Sequence, residues 1–446
     1  MQELLLFSGL GFVFRFLPVF MILYLVTPAK HRSLVMVCGS LLYYAALEPH
    51  FVCVLMAAVI VNALLAQPGS KSRALLGIVC NVALLAGAKY LAFRTGDEGS
   101  FHLPVGLSFY LFKMISFQAD LYQGRIRQKP GFLQTAEYFV MFPQLLQGPI
   151  SRYEDLYGEG RAITVEKAED GLMLFMSGFI LKVLLADSLA GIFAQISRIG
   201  YESISTPLAW IGAYDYSMQL YYDFWGYSLM AAGLLMMMGF PFVRNFDHPY
   251  AAGSITEFYR RWHITLGHFF RDYVYIPLGG SRNGLAGTVL SLFVVWMLTG
   301  LWHGQGIGYL IWAALLLCLI LWEKFVVTAL FGRGAWICRL HVWLLIPVTW
   351  IVFAMEKPSM IITYMARLFP FFGPGINVYE GDWQKVFPEG GFVLAAGLLL
   401  LIPQVSGFFT KHRKNVLVKI LLLCIFWAAV CKSANSSLNP FLYLQF

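Results

Sequence analysis

Leu285-Ala-Gly-Thr-Val-Leu-Ser-Leu-Phe-Val-Val-Trp-Met-Leu-Thr-Gly-Leu-Trp-His303 is the stretch that decides the fold class. No residue before the final histidine is charged, and the run has the roughly twenty-residue length that a helix needs to cross a hydrocarbon core. It closes on His303 and then breaks at Gly304-Gln305-Gly306 before another apolar run begins. A titratable side chain at the end of such a run stands in hydrocarbon or at its boundary, where ionisable groups are costly and read first as functional. Two readings follow for His303: a structural histidine bridging helix ends, or a general base whose imidazole is neutral at physiological pH.

Composition extends the membrane reading to the whole chain. Of 446 residues, 59% are hydrophobic and only 13% charged, about half the charge of a soluble domain. So much apolar surface does not fit one soluble core, and the chain is read as an all-α, multi-pass membrane protein. Its net charge of +8 arises from Lys and Arg in short clusters between apolar runs, which argues for membrane sidedness and against nucleic acid. The seven cysteines never form a C-x-x-C pair and fall mostly in apolar runs, so they imply neither a metal site nor a disulfide framework. No basic region opens the N-terminus and no small-residue cleavage site follows its first apolar stretch, so that segment is expected in the mature protein.

Candidate membrane segments lie near 11–28, 34–48, 50–66, 74–92, 103–121, 136–150, 171–195, 206–240, 285–303, 307–330, 336–355, 390–409 and 416–431. These amount to roughly 11–13 membrane helices, with 34–48 and 136–150 short enough to be re-entrant. Lys30-His-Arg32, Lys71-Ser-Arg73, Arg125-Ile-Arg-Gln-Lys129 and Lys411-His-Arg-Lys414 mark cytoplasmic loops. Both termini are then extracytoplasmic. No soluble domain, repeat or low-complexity linker interrupts the chain, so residues 1–446 are expected to form a single integral membrane domain.

Upstream of the deciding run, residues 245–284 form a strongly polar, aromatic-rich block. Ser254-Ile-Thr-Glu257 is a capping-box pattern that starts a helix. Phe258, Trp262, Leu266, Phe269 and Tyr273 then form one stripe, while Arg260, His263, Gly267 and Arg271 share another arc. Pro277 and Gly279-Gly280 stop this helix. It reads either as an interfacial helix with snorkelling arginines and a solvated His263, or as part of a substrate groove. Tyr222, Asp223, Tyr227 and Ser228 interrupt an apolar stretch and suit tunnel lining or helix packing equally. Lys182, Asp187, Asp215 and Glu323 read as helix-end or packing charges. Gly-x-Ser-x-Gly, His-Glu-x-x-His and Walker patterns do not occur, which removes support for a serine acyl-enzyme, a zinc hydrolase and an ATPase.

With both histidines placed, the chain closely resembles the membrane-bound O-acyltransferase (MBOAT) family in its bacterial alginate O-acetyltransferase-like branch. The resemblance runs nearly end to end. It is carried by Phe7-Ser8, Phe16-Leu-Pro18, Pro104-Val-Gly-Leu-Ser-Phe-Tyr110, Phe142-Pro-Gln144-Leu-Leu-Gln-Gly-Pro149, Tyr222-Asp-Phe-Trp-Gly-Tyr-Ser228, Arg260-Arg-Trp-His263, Phe270-Arg-Asp-Tyr273, Ile276-Pro-Leu-Gly-Gly280, Leu301-Trp-His-Gly304 and Phe441-Leu-Tyr-Leu-Gln-Phe446. The chain departs from the family's usual pattern at Trp225 and Leu229, where many relatives have Ser and Asp, and at Gln147, where a small residue is more usual.

The resemblance implies helices ringing a thinned centre, with a central tunnel joining a cytoplasmic donor site to an extracytoplasmic acceptor site. His303 matches the family's catalytic histidine and His263 its second characteristic histidine. Trp302, Asp223, Tyr222, Tyr227, Arg260, Arg261, Arg271 and Gln144 are placed at the substrate or along the tunnel, and the arginines with Lys129 could meet donor phosphates. The expected reaction passes an acyl group, acetyl in type, from a cytoplasmic thioester such as acetyl-CoA to a hydroxyl outside. No cofactor is held tightly and no metal is expected. The acceptor is an exported polysaccharide or a partner such as an extracytoplasmic SGNH-hydrolase-like acetyltransferase, and an acyl carrier protein could deliver the donor. Membrane lipid surrounds the chain, in a bacterial plasma (inner) membrane. The alternatives are D-alanyl transfer from a carrier protein to teichoic acid and, outside enzymes, a multi-pass transporter or channel. Ile276-Pro-Leu-Gly-Gly280 favours the polysaccharide-acetylating branch.

Clustered Lys and Arg resist translocation, so single cysteines placed in a cysteine-free background at 71–73 or 125–129 are expected to react only with thiol reagents supplied from the cytoplasm. A cysteine at Ser436 is expected to react from outside. Reversed labelling would overturn the sidedness.

Overall fold

The computed structural model describes residues 7–95, 102–158, 160–304, 306–332, 336–355, 357–369, 371, 378–379 and 381–435. Residues 1–6, the acidic pair Asp97-Glu98, Gln305 and the tail containing Ser436 and Phe441–Phe446 lie outside the described residues, and with them the expected positions of both termini. Among the described residues the chain forms helices and no strand. The helices are α1 Leu17–Val26, α2 Arg32–Leu47, α3 Val52–Leu65, α4 Lys71–Thr95, α5 Leu107–Tyr122, α6 Phe132–Val140, α7 Tyr153–Tyr157, α8 Val165–Ile180, α9 Asp187–Ile199, α10 Thr206–Met237, α11 Ile255–Arg261, α12 Ile264–Phe270, α13 Gly284–His303, α14 Ile307–Trp322, α15 Thr328–Phe331, α16 Trp336–Ala354, α17 Pro358–Leu368, α18 Phe387–Leu400, α19 Pro403–Ser406, α20 Phe408–Lys411 and α21 Val416–Asn435. Wider π turns occur at Phe12–Phe16, Leu181–Ala186, Arg271–Tyr275 and Glu323–Val327.

Six of the described helices are long and apolar enough to cross a membrane: Lys71–Thr95, Val165–Ile199, Gly280–His303, Ile307–Phe331, Trp336–Ala354 and Val416–Asn435. Phe12–Val26, Val52–Leu65 and Gly390–Leu400 are apolar but shorter. The expected 11–13 include re-entrant and interfacial helices, whereas these six pass on length and apolarity alone; α5 and α10 are not among them, and they bury polar side chains, including Lys113, Gln118, Asp120, Asp215, Gln219 and Asp223. Helices that keep such groups inside protein are not uniformly apolar.

The chain divides into two compact units. The first comprises Met1–Phe179, Tyr227–Arg244 and Leu422–Gln445, and the second Ile180–Gly226, Asn245–Leu421 and Phe446. In the first, α4 packs along α5, and α2 and α3 pack on α6. A buried amide cluster ties three of these helices together: Asn62 and Asn81 exchange hydrogen bonds of 2.9 and 2.8 Å, and Gln118 donates to the Asn62 carbonyl at 2.9 Å. Amides pair in this way because an apolar surrounding offers them no water. The expected re-entrant segment 136–150 is helical only to Val140, continues as a 3-10 turn at Phe142–Gln144 and then runs irregularly through Gly148-Pro149. Pro143 and Pro149 lack backbone N–H groups, and the segment is buried throughout, with Phe142 N–H given to Ser40 Oγ at 3.0 Å. Gly106 faces this loop at φ +78°, where a Cβ would lie 2.4 Å from the Leu145 carbonyl oxygen.

In the second unit α13 packs on α14, α14 and α11 on α16, and α9 on α18. The helix expected to run from Ser254 towards Pro277 is two helices. Trp262 is extended and His263 is left-handed at φ 44°, so α11 ends at Arg261 and α12 starts at Ile264. The aromatic stripe and polar arc read across this point therefore do not form single faces. Ser254 Oγ does accept the Glu257 N–H at 3.0 Å, but the Glu257 carboxylate takes the Gly253 N–H at 2.7 Å in place of the cap residue's own. The next two N–H groups, of Ile255 and Thr256, donate to the buried carboxylate of Glu323 at 3.0 and 3.3 Å. Glu323, read from the sequence as a helix-end or packing charge, lies inside the continuous helical stretch Ile307–Phe331 and caps the start of α11 instead of an end of its own helix.

Ser254→Ala is expected to destabilise α11 by about 1 kcal/mol and to speed amide hydrogen exchange across 255–261, while Glu323→Gln weakens the same turn. Unchanged exchange in both variants would show that neither side chain caps the helix.

Candidate active site

His303 is the last residue of α13, and Gly304 behind it is so close to the Tyr309 ring that a Cβ would lie 2.2 Å from it. The imidazole is buried among aromatic rings: Trp302 at 4.4 Å, Phe353 at 5.0 Å, Trp312 at 5.2 Å and Tyr309 at 6.5 Å between centroids. Phe353 and Trp312 meet it edge to face, at 90° and 89°. These rings come from α13, α14 and α16 and exclude water from the imidazole. The indole N–H of Trp312 is buried and meets no acceptor among the described residues.

His263 occupies the break between α11 and α12. Its Nδ1 lies 3.0 Å from Asn245 Oδ1, and the Phe224 ring stands perpendicular to it at 4.6 Å. Trp302 is shared between the histidines, 6.4 Å from His263 and 4.4 Å from His303. Burial holds the His263 imidazole far down, at about 3, so it is neutral at physiological pH. His263 Nε2 is buried without a partner among the described residues. The solvated interfacial histidine is therefore excluded. The site brings together two imidazoles, an unengaged imidazole nitrogen and an indole donor in an aromatic, water-poor box, a setting suited to proton transfer and to stabilising charge.

Asp223, beside Phe224 on α10, is buried and receives a 2.7 Å hydrogen bond from Lys182 Nζ. Lys182 also meets Asp187 at 2.8 Å. In an α-helix residues five apart point about 140° away from one another, but Lys182 lies within the π turn Leu181–Ala186, which the Asp187 N–H closes on the Lys182 carbonyl, and five residues of such a turn bring the chain back towards one face. The wide turn makes this pairing possible, and the two carboxylates compensate a lysine that is only 1% exposed. Tyr222 donates to the Gly397 carbonyl at 2.5 Å, anchoring α10 to α18. Asp223 and Tyr222 each make a helix-packing contact in this way.

Gln144 and Tyr227 belong to the first unit. Gln144 joins Lys113, at 3.2 Å, to Ser151, at 2.7 Å, and Lys113 lies 4.6 Å from the Tyr138 ring centroid. Tyr227 is buried against Gly148 and Phe7. Of the basic residues, Arg261 pairs with Glu257 and Arg271 with Asp272, while Arg260 and Lys129 are exposed. The sequence reading missed Asn245, Phe224, Tyr309, Trp312 and Phe353. Asn245 opens the polar block and could have been singled out. Phe224 stands inside the Tyr222–Ser228 motif, whereas Tyr309, Trp312 and Phe353 carry no such mark within apolar helices.

Residues 110–366 match the membrane-bound O-acyltransferase family, a range that holds both histidines. Over 502 aligned residues, 99% of this chain and 100% of the relative, the chain is 35% identical to a probable alginate O-acetylase of Pseudomonas fluorescens. It is 31% identical to a peptidoglycan O-acetyltransferase of Helicobacter pylori, covering 70% of this chain and 69% of that one. It is 29% identical to a teichoic acid D-alanyltransferase of Bacillus subtilis, covering 49% and 60%.

Lys182→Met leaves two carboxylates without their cation and is expected to lower stability by about 3–5 kcal/mol, the usual cost of breaking a buried ion pair. Asp223→Asn keeps the Lys182–Asp187 pair and should cost less. Melting temperatures of the two variants in detergent check the order, and an equal or smaller loss for Lys182→Met would deny the lysine its central place.

Proposed function

The chain belongs to the membrane-bound O-acyltransferase family and is a multi-pass membrane O-acyltransferase, and from this premise we propose that it transfers an acetyl group from a cytoplasmic thioester to a hydroxyl of an extracytoplasmic polysaccharide or partner protein. The transporter alternative gives way to the enzyme. Acetyl-CoA suits the donor role, since its acyl carbon is already activated and the protein need supply only alignment and proton handling. Supporting an acetyl cargo, the acetyl-transferring relatives align over more of the chain than the D-alanyl-transferring one does. That last relative keeps D-alanyl transfer from a carrier protein to teichoic acid as the second reading.

The observation that carries the proposal is the pair of buried histidines sharing the Trp302 ring. In the proposed reaction the acceptor hydroxyl gives its proton to His303 as its oxygen attacks the thioester carbonyl carbon. The tetrahedral oxyanion then collapses, the C–S bond breaks, and the departing thiolate takes the proton back from His303. An ester and a free thiol result. His263 orients the substrate or stabilises the developing oxyanion, within the box formed with Trp302. Arg260, exposed at the end of α11, is the best placed of the three arginines for donor phosphates, because Arg261 and Arg271 are engaged by carboxylates. Asp223 and Tyr222 serve the site by holding α10, on which Phe224 meets His263. We assign Gln144 and Tyr227 to the tunnel on the resemblance of their motifs. The whole of residues 1–446 acts as one integral domain in a bacterial inner membrane, with both termini outside. The outside acceptor is a polysaccharide or an SGNH-hydrolase-like acetyltransferase.

His303→Ala is expected to abolish acetyl transfer by purified protein, with donor affinity and melting temperature near those of the parent, whereas His263→Asn retains measurable turnover. A general base contributes about a hundredfold to ten-thousandfold in rate, and an oxyanion donor about a hundredfold to a thousandfold. Asparagine tolerates the left-handed backbone at 263. A stable, fully active His303→Ala protein would sink the mechanism. Transfer of D-alanine from a carrier protein, with none of acetate from acetyl-CoA, would select the second reading.

A further inference from the structure

We propose that Asn245 is a positioning residue that fixes His263 as the Nδ1–H tautomer, so that Nε2 offers the reaction a lone pair and accepts a hydrogen bond from the substrate's hydroxyl or thiol. The argument starts at Thr265. Its backbone N–H can only donate, and it points at the Asn245 side chain at 3.4 Å, while its hydroxyl lies 2.9 Å from the same atom. That atom is therefore the amide oxygen, since the reversed amide would turn an NH2 group on a backbone N–H. An amide oxygen is an acceptor alone. His263 Nδ1, 3.0 Å from it, must carry the proton.

A neutral imidazole has one N–H, and burial keeps His263 neutral. Nε2 is then the lone-pair nitrogen, buried and without a partner among the described residues. The backbone holds this arrangement. The Ile264 N–H donates to the Asn245 carbonyl at 2.8 Å and the Asp247 N–H to the Arg261 carbonyl at 3.0 Å, so 245–247 and 261–264 are bound side by side. The left-handed φ of 44° at His263, one of two such non-glycine residues among those described, turns the imidazole towards Asn245. Strained backbone of this kind persists where the surroundings over-determine it, and it gathers at functional sites.

The consequence bears on the choice of roles. A nitrogen that presents a lone pair cannot donate to an oxyanion, so of the two roles available to His263 the geometry selects orientation of a donor hydrogen. The inference rests on the proposed function for its meaning but not for its test, because the tautomer is read without turnover.

The experiment is long-range proton–nitrogen correlation on the full chain in detergent with 15N-labelled histidine, using His263→Gln to assign the signal. The expected result is a protonated, pyrrole-type Nδ1 and a pyridine-type Nε2 at His263. A pyridine-type Nδ1 would overturn the proposal. In Asn245→Ala the His263 signals should move towards a mixture of tautomers, and kcat should fall by about a hundredfold or more, as for a catalytic histidine held in the wrong tautomer, with KM for acetyl-CoA little changed. Asn245→Asp keeps an acceptor oxygen and should retain the protonated Nδ1. An unchanged tautomer or full turnover in Asn245→Ala would end the positioning role, whereas loss of transfer specific to His303→Ala would leave the general mechanism standing.

Discussion

A hydrocarbon interior supplies no water to a backbone amide, a carboxylate or an ammonium group, so each must find its partner within the protein. The whole architecture answers to that requirement. It makes the chain helical, because helices satisfy their own backbone, and it explains where the helices are not simple. Asn62, Asn81 and the Gln118 NH2 group bond to one another across three helices. Lys182 is enclosed by two carboxylates. Glu323 closes the open N–H groups of α11. Each of these groups marks a place where two elements are fixed in mutual register.

The same requirement concentrates reactivity. An imidazole in water exchanges hydrogen bonds freely and has no fixed partner, whereas those of His263 and His303 are held by rings and, at His263, by one amide oxygen. Orientation is settled before substrate arrives, which is the condition under which proton transfer and charge stabilisation are most effective. The aromatic residues around His303 add bulk without competing donors or acceptors, apart from the indole and phenol groups at their edges.

Much of this was legible in the sequence. Apolar run length identified the deciding span, which is the helix Gly284–His303, and His263 in the polar block together with His303 at the end of that span pointed to the candidate site. The cap at Ser254 was visible in four residues, whereas nothing around Glu323 announces that its carboxylate caps α11. What escaped did so for physical reasons. A left-handed residue at 263 has no composition of its own, so periodicity ran a single helix through a corner. Tyr309, Trp312 and Phe353 are indistinguishable from ordinary packing residues until three helices bring them to one imidazole. The partner of His263 lies eighteen residues away and is joined to it by a backbone pairing that no pattern announces.

The π turns carry a consequence for how such a chain can change. A π turn holds one residue more than the α turn it replaces, and a residue advances a helix by about 100°. Removing one residue between Lys182 and Asp187 would relax the wide turn to an α turn and leave the two side chains four residues apart, a spacing at which helix neighbours still meet, so the residues beyond keep their faces. A single-codon deletion there shortens the helix without rotating the protein's interior. Lineages of such chains should therefore be able to lose the extra residue of a widened turn while keeping the pairs on either side of it.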